Sequence, residues 1–361
     1  MARVTPESLV FERAENDQIT KLFENNSQVW AGSLSQAAYL DIQEKLADTE
    51  ASMGNTSHWI LRRPEDPMAV ITSCTTYMRD AIATTGQGTR NGRAVIVTNV
   101  FTHSEYRMRG MAKLLLKKLQ DHMDRGNLGN AEFSVVYGDV YMDLFQGLGW
   151  KPLPATQLRI SLGQMKKLQE RSDVPGAKFL GYTDVCELSD ADMNTSKLRL
   201  SGHRDRKVHV QILPTKPLKC WHLMRSQLLS QHLGRGELAK QRHGASSHVK
   251  QPAWAWWVHD YRMRRLCIAR LYVARRKGME EGVRPLLEAA VIEASVCGLR
   301  EVVIWEPSEQ VIQAAAKLAE TYGQGLSISQ GERLEMVPCL RWKGGEDRDV
   351  VMEERELYGW S

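Results

Sequence analysis

The chain has 361 residues, 42% of them hydrophobic and 25% charged, a balance that fits a globular protein of two ordinary domains and excludes general disorder. No apolar run reaches the ~18 residues a membrane helix requires, and the N-terminal segment lacks the apolar core of a secretory signal. Six scattered cysteines without a CxxC pair fit reduced thiols in a cytosolic or nuclear protein, with cytoplasmic the expected location, rather than a disulfide frame or a zinc site, and the net charge is a mild +5.

Alternation over Ser8 to Glu12 predicts an opening strand. Helical spacing follows across Ile19, Leu22 and Phe23, and again from Leu34 through Tyr39 and Ile42 to Leu46. Trp59 to Leu61 and Met68 to Ile71, separated by Pro64 and Pro67, read as neighbouring strands, and Thr84 to Gly92 reads as a loop by composition. A buried strand from Ala94 to Phe101 leads to a helix from Arg109 to Met123. A strand (Phe133 to Tyr137), a short helix (Val140 to Leu148) and a strand near Leu158 to Ile160 complete this half.

The polar stretch from Ser189 to Thr215 suggests a boundary, placing domains at 1–195 and 196–361. Beyond it come strands at Ala253 to Trp257 and Leu266 to Val273, then a helix from Val283 to Cys297 stopped by Gly298. The strand Val302 to Trp305 and a helix from Glu309 to Leu318 follow. This order repeats that of the first half, with nearly the same spacing from Glu280 to Val302 as from Ala112 to Phe133. The expected fold class is therefore α/β (α+β), a mixed sheet flanked by helices, with a second, degenerate copy.

Chemistry concentrates where the central strand ends. Arg107-Met108-Arg109-Gly110-Met111-Ala112 is an RxxGxA loop opening a helix. Unpaired amides of a first helical turn and the helix dipole favour an anion there. Gly110 admits close approach, Ala112 keeps the next turn small, and Arg107 and Arg109 add charge.

With its strand–loop–helix context, this segment resembles the pyrophosphate loop of the GNAT acyltransferase superfamily, and the two halves then imply a GNAT fold followed by a degenerate GNAT-like domain. The resemblance implies that Val100, Phe101 and Thr102 present main-chain groups to pantetheine. It also implies that the amides from Arg107 to Ala112 cradle the pyrophosphate of acetyl-CoA. Gly149-Trp150 resembles the superfamily's closing step. Trp30-Ala31-Gly32-Ser33-Leu34-Ser35 with Tyr39, and Tyr137-Gly138-Asp139-Val140 ending at Leu148-Gly149-Trp150, are similar to segments of the fungal lysine N6-acetyltransferases of lysine catabolism. That branch implies free L-lysine, or a similar small amine, as acceptor. Other acceptors (a secondary-metabolite amine, a polyamine, a protein lysine) and a weakened CoA-binding or nucleic-acid-associated module are the alternatives.

One position departs from the superfamily. Where a tyrosine four residues before the glycine often protonates the leaving thiolate, this chain has Phe145, which cannot donate a proton. Tyr141, one turn earlier, is the candidate donor, with core packing as its other reading. An attacking amine must first be neutral, and Asp139 is the candidate base, with a helix N-cap as its other reading. Trp254 and Trp256 alternate on one strand face, suited to core packing or to a cation–π wall. Trp256 joins Trp30 and Tyr137 as a candidate acceptor-binding residue.

Nineteen Lys/Arg against three acids between Lys197 and Lys277 suggest a basic face, on which nucleic acid is an alternative partner. The histidines at 203, 209, 222, 232, 243, 248 and 259 lack companion ligands at the usual spacing, so no metal site is expected. In the second half, Arg275-Arg276-Lys277-Gly278-Met279-Glu280-Glu281 stands in the loop's place. Its Glu280 opposes a phosphate, so that half is expected to shape the acceptor end of the cleft instead.

Overall fold

The computed structural model describes residues 8–85, 88–139, 142–163, 173–203, 205–235, 242–247, 252–274, 279–343 and 349–360. The first half opens with β1 (Val10–Arg13), α1 (Asn16–Trp30) and α2 (Gln36–Ala47), followed by β2 (Thr56–Arg63), β3 (Asp66–Thr85) and β4 (Gly88–Thr102). Then come α3 (Met111–Asp124), β5 (Phe133–Gly138), α4 (Met142–Gln146), β6 (Lys151–Pro152), β7 (Thr156–Leu162) and β8 (Ala177–Leu180). Next are α5 (Tyr182–Glu187), α6 (Ser189–Ser201), β9 (Val208–Ile212) and α7 (Lys216–His232), then β10 (Gly244–Ser247), β11 (Ala253–Asp260) and β12 (Arg265–Val273). The chain closes with α8 (Met279–Val296), β13 (Glu301–Trp305), α9 (Glu309–Tyr322), β14 (Leu326–Glu332), β15 (Val337–Trp342) and β16 (Val350–Met352).

These strands make two mixed sheets. The first runs β1-β2-β3-β4-β5-β15-β6, with β9 and β16 at the far end of β3, and the second runs β14-β7-β13-β12-β11-β10-β8. The sheets exchange strands: β7 pairs with β13 and β14, whereas β15 lies between β5 and β6. The division expected at 195/196 falls within α6. A large core joins the inward faces of both sheets and α7, holding Ile96, Val135, Trp221, Trp256 and Trp305 together. The outer face of the first sheet buries Leu115, Leu116 and Leu119 of α3 against Val95, Val97 and Val136. The second sheet's outer face is covered by α8 and α9.

Local chemistry explains the better-formed ends. Ser35 Oγ accepts from the Ala38 amide at 3.1 Å to start α2, and Thr215 and Ser308 cap α7 and α9 in the same way. Gly298, past the end of α8, takes φ +66°, as the helix stop requires. The segment Thr84 to Gly92 differs from its reading as a loop. Its described residues extend β3 and β4 as a hairpin, with the Thr84 and Thr89 hydroxyls 2.8 Å apart. A polar hairpin that reaches into solvent has the composition of a loop.

The stretch Ser189 to Thr215 likewise holds α6 and β9, and the basic stretch does not form one face. Lys219 and Arg270 are buried in an ion-pair network. Arg270 reaches Asp192 at 2.8 Å and Glu354 at 2.7 Å and also pairs with Glu356, and Lys219 Nζ lies 3.2 Å from Asp192. No helix among the described residues is long and apolar enough to cross a membrane.

Candidate active site

Within the first sheet, β4 and β5 pair in parallel only from Ala94/Phe133 to Val97/Val136, although β4 continues to Thr102 and β5 to Gly138. The change of course begins at a bulge. Thr75 pairs with Thr98 but Ser73 with Phe101, and Asn99 takes φ +51°. The strands therefore part at their C-terminal ends, leaving the β5-facing edge of β4 unpaired beyond Val97 among the described residues.

The loop after β4 leads directly to the start of α3. Gly110 is the N-cap residue at φ +75°, a conformation glycine adopts without steric cost, and its carbonyl accepts the first helical bond from Leu114 at 3.0 Å. A Cβ on Gly110 would meet nothing within 4 Å, so the approach to the first-turn amides is open. Met108, fully exposed, also has a left-handed φ of +58°. Arg107, Arg109 and Gly110 are exposed, Met111 is buried beneath them, and Ala112 is half-buried. The helix accordingly begins at Met111, two residues after its expected start at Arg109.

Side chains fix this loop from below. Arg107 Nε donates to the Thr102 carbonyl at 3.1 Å, and its guanidinium lies 5.9 Å from the Phe101 ring. The Phe101 carbonyl accepts from Thr72 Oγ1 at 2.8 Å. Arg63 Nη2 donates to the Tyr106 hydroxyl at 2.7 Å, with Arg109 over the same ring. Arg63 thus joins Arg107 and Arg109 as a third cation at the loop. Its position before Pro64 carries no periodic signal that sequence reading could use.

Two of the three candidate acceptor-binding residues flank the parted strands. The Trp30 ring meets Phe101 of β4 edge-on at 6.3 Å, and Tyr137 is half-buried on β5. Burial raises the Tyr137 phenol's pKa, outweighing Arg333 and Arg355 nearby, and a Cβ on Gly359 would come within 3.3 Å of its hydroxyl. Trp256 is wholly buried in the core between the sheets, 6.0 Å from the His222 ring, where no acceptor reaches it. Trp254 stacks on Tyr272 at 5.1 Å.

Asp139 is exposed at the end of β5, and its Oδ1 accepts from the Met336 amide ahead of β15, not from the first turn of α4. Phe145 is buried against Trp150, with ring centroids 6.4 Å apart. Tyr141 lies outside the described residues, as do 275–278 in the second half's corresponding loop.

The fold also gathers two sets of side chains that sequence spacing did not suggest, His203/Asp205/His209 and His259/Glu293/Cys297. Both are tied together by hydrogen bonds. His209 contacts Asp205 and Glu353 at 2.8 Å each, whereas Glu293 Oε1 faces His259 Nε2 at 3.0 Å and Cys297 Sγ at 3.3 Å.

Comparison with known proteins bears on the family and the fold. The model of the LYC1 GNAT-like C-terminal domain matches residues 160–361. The chain is 22% identical over 377 residues to the uncharacterized protein YGR111W of Saccharomyces cerevisiae, with 93% of each covered. Among solved structures, a probable N-acyltransferase from Enterococcus faecalis V583 aligns with a TM-score of 0.56 at 9% identity, over 92% of this chain and 72% of that one. A GCN5-related N-acetyltransferase from Kribbella flavida gives 0.51 at 11% identity, with the same coverage. Eis1 from Mycobacterium abscessus gives 0.50 at 11%, over 92% and 73%. These structures share the mixed α/β fold of this chain. The chain belongs to the LYC1 GNAT-like family of N-acetyltransferases.

Proposed function

We propose that the protein moves the acetyl group of acetyl-CoA directly to a primary amine, with the N6 amine of free L-lysine the preferred acceptor. The observation that carries this reading is the parting of β4 and β5 beyond Val97 and Val136, directly in front of the open first turn at Gly110. That notch suits a thioester lying along the unpaired edge of β4. The amides from Arg107 to Ala112 would hold the pyrophosphate at the positive end of the α3 dipole, with Arg63, Arg107 and Arg109 adding charge. Main-chain groups of Val100, Phe101 and Thr102 would align the pantetheine arm, and an edge amide near Phe101 would polarise the acetyl carbonyl.

A lysine amine has a pKa of about 10.4 and must shed a proton before its lone pair can attack. Asp139, exposed at the end of β5, is the proposed acceptor of that proton, directly or through water. The amine nitrogen bonds to the carbonyl carbon, the C–S bond breaks, and CoA leaves as thiolate, while the new amide nitrogen sheds its remaining extra proton to water, which can return it to the thiolate. Trp30 and Tyr137 line the acceptor side. In this division of labour the first half, 1–195, carries acetyl-CoA, and the second, 196–361, shapes the acceptor end through Arg262 and the tail around Gly359.

The reading is tested by incubating the purified protein with acetyl-CoA and a panel of amines, following thiol release and identifying products by mass. N6-acetyl-lysine supports it, and turnover on other amines alone keeps the transfer but removes lysine. Acetyl-CoA binding without turnover on any amine rejects the enzyme reading.

A further inference from the structure

The six cysteines are all thiols, and five of them are buried. Cys74, Cys267, Cys297 and Cys339 lie in the cores, where burial pushes each thiol up and away from reactivity. Cys220 on α7 is the one that is not buried. The fold brings it against Cys186 of α5, 34 positions earlier, with the two sulfurs 2.6 Å apart. That separation is only about 0.6 Å longer than a disulfide bond, so a small approach completes one. Tyr182, at the start of α5, donates from its hydroxyl to the Cys220 carbonyl at 3.4 Å, a second tie across the same contact. α7 is also fixed elsewhere, by Lys219 against Asp192 of α6 at 3.2 Å and by His222, whose Nε2 lies 3.0 Å from the Tyr358 carbonyl. The two sulfurs therefore meet on helices that other bonds already hold in place.

The two thiols are not equivalent. Cys186 is 4% exposed, whereas Cys220 is half-buried and reaches solvent. Hydrogen bonding from the Cys186 thiol, with Tyr182 and the Lys216 charge, outweighs burial and Glu50 and holds the Cys220 thiol below its ordinary range. The same contact, together with burial, pushes Cys186 up against the pull of Lys216 and Lys219. An accessible sulfur with thiolate character thus stands beside a protected partner, the arrangement of an attacking and a resolving cysteine.

We propose that Cys186 and Cys220 are a redox-modification site, closing to a reversible disulfide between α5 and α7 when the protein meets a hydroperoxide. The Cys220 thiolate attacks one peroxide oxygen. An S–O bond forms, the O–O bond breaks, and the other oxygen leaves as hydroxide, which takes up a proton to become water. The Cys186 thiol then attacks the sulfenic sulfur. The S–S bond forms as the S–O bond breaks, and the thiol's proton leaves with the hydroxyl as a second water. Each sulfur gives up one electron, and the peroxide accepts both. The thiol pair is the resting form, and a dithiol reductant restores it by exchange. Such a bond is a response to oxidant and not part of the resting frame.

The test treats the full chain with hydrogen peroxide, blocks the remaining thiols with N-ethylmaleimide in denaturant, and maps unreduced tryptic peptides by mass. The blocked thiols should fall by two from six, through one linkage between the Cys186 and Cys220 peptides, and dithiothreitol should restore all six. Cys220→Ser should keep its remaining five thiols at the same dose, and Cys186→Ser should hold a sulfenic acid on Cys220 that dimedone traps. The oxidised chain should unfold at a higher temperature than the reduced one, because a bond across 34 positions restricts the unfolded state. Cys220→Ser should show no such difference. Disulfides joining two chains through Cys220, or a sulfinic acid on Cys220 while Cys186 stays a thiol, overturn the proposal. So does an unchanged thiol count at a dose that converts the fully exposed Met108 to its sulfoxide. An internal bond that lowers the unfolding temperature overturns it too, since the helices would then have had to move to form it.

Discussion

Arg262, on the turn between β11 and β12, donates from Nη1 to the carbonyl oxygen of Trp30 at 2.9 Å. The bond ties a hairpin of the second sheet to the last residue of α1, whose ring stands edge-on to Phe101. Gly32 packs under the same guanidinium, where a Cβ would lie 3.3 Å from Nε. The candidate acceptor side is thus assembled from both halves, whereas the candidate phosphate loop belongs to the first alone.

Gly110→Glu places a carboxylate at the start of α3. The left-handed φ of +75° makes any side chain costly there, by about 1–2 kcal/mol of stability. Open space around the Cβ means that the fold should survive. Acetyl-CoA affinity, measured by calorimetry, should fall by about tenfold or more, and Gly110→Asn, which tolerates the conformation better, should lose much less.

Asp139→Asn distinguishes a base from a brace. As the proton acceptor, Asp139 should cost about 10²- to 10⁴-fold in kcat when removed at neutral pH, with acetyl-CoA KM unchanged. The deficit should shrink as pH approaches the acceptor amine's own pKa, where the amine is already neutral. A deficit independent of pH would assign Asp139 to its bond with the Met336 amide instead.

Arg270 holds the tail to the second sheet. Its replacement by Met leaves Asp192, Glu354 and Glu356 with Lys219 as the remaining buried cation, and should cost about 3–5 kcal/mol in urea unfolding. Glu354→Gln should be costlier than Glu356→Gln. Burial raises both carboxyl pKa values, but at Glu354 the Arg270 charge, with the Ser196 hydroxyl and Arg199, outweighs it and brings the net shift down. At Glu356 burial wins.

Histidine titration should split in two directions. Burial pushes His209 down, but Glu353 and Asp205 at its two nitrogens outweigh it and leave its pKa raised. Its stabilising contribution is then full below about pH 6.5, the unfolded value, and is lost as pH rises through the raised folded value. Burial lowers His58 to about 4, His222 to about 3 and His243 to about 4, so their contribution is full above about pH 6.5 and lost on acidification. Ring-proton NMR should show His209 with the highest midpoint of the four. The stability gap between the full chain and His209→Gln should close as pH increases.

The residues alone made the strand–loop–helix unit around Gly110 legible, because every part of it is local. A buried apolar strand, a glycine free to take φ +75° and a helix with Leu115 and Leu119 on its inner face lie within one short stretch of chain. Gly298 was readable as a helix stop for the same reason. α7 was not legible, since Lys219, His222 and Ser226 are buried along with its leucines and no single apolar stripe appears. Nor was the fate of the basic stretch, whose Lys219 and Arg270 are buried by Asp192, Glu354 and Glu356, the last two over 80 positions from Arg270.

Sequence by itself determined the elements whose conformation depends on neighbours a few residues away: the strand–loop–helix unit, its cations and the repeat of that order in the second half. Tertiary structure decided which strands trade sheets, and that Trp256 is core while Trp30 stands edge-on to Phe101. Pairing and burial are set by partners far along the chain. Ile160 pairs with Val302 within the second sheet and Val136 with Cys339 within the first, partners that no local stretch of chain contains.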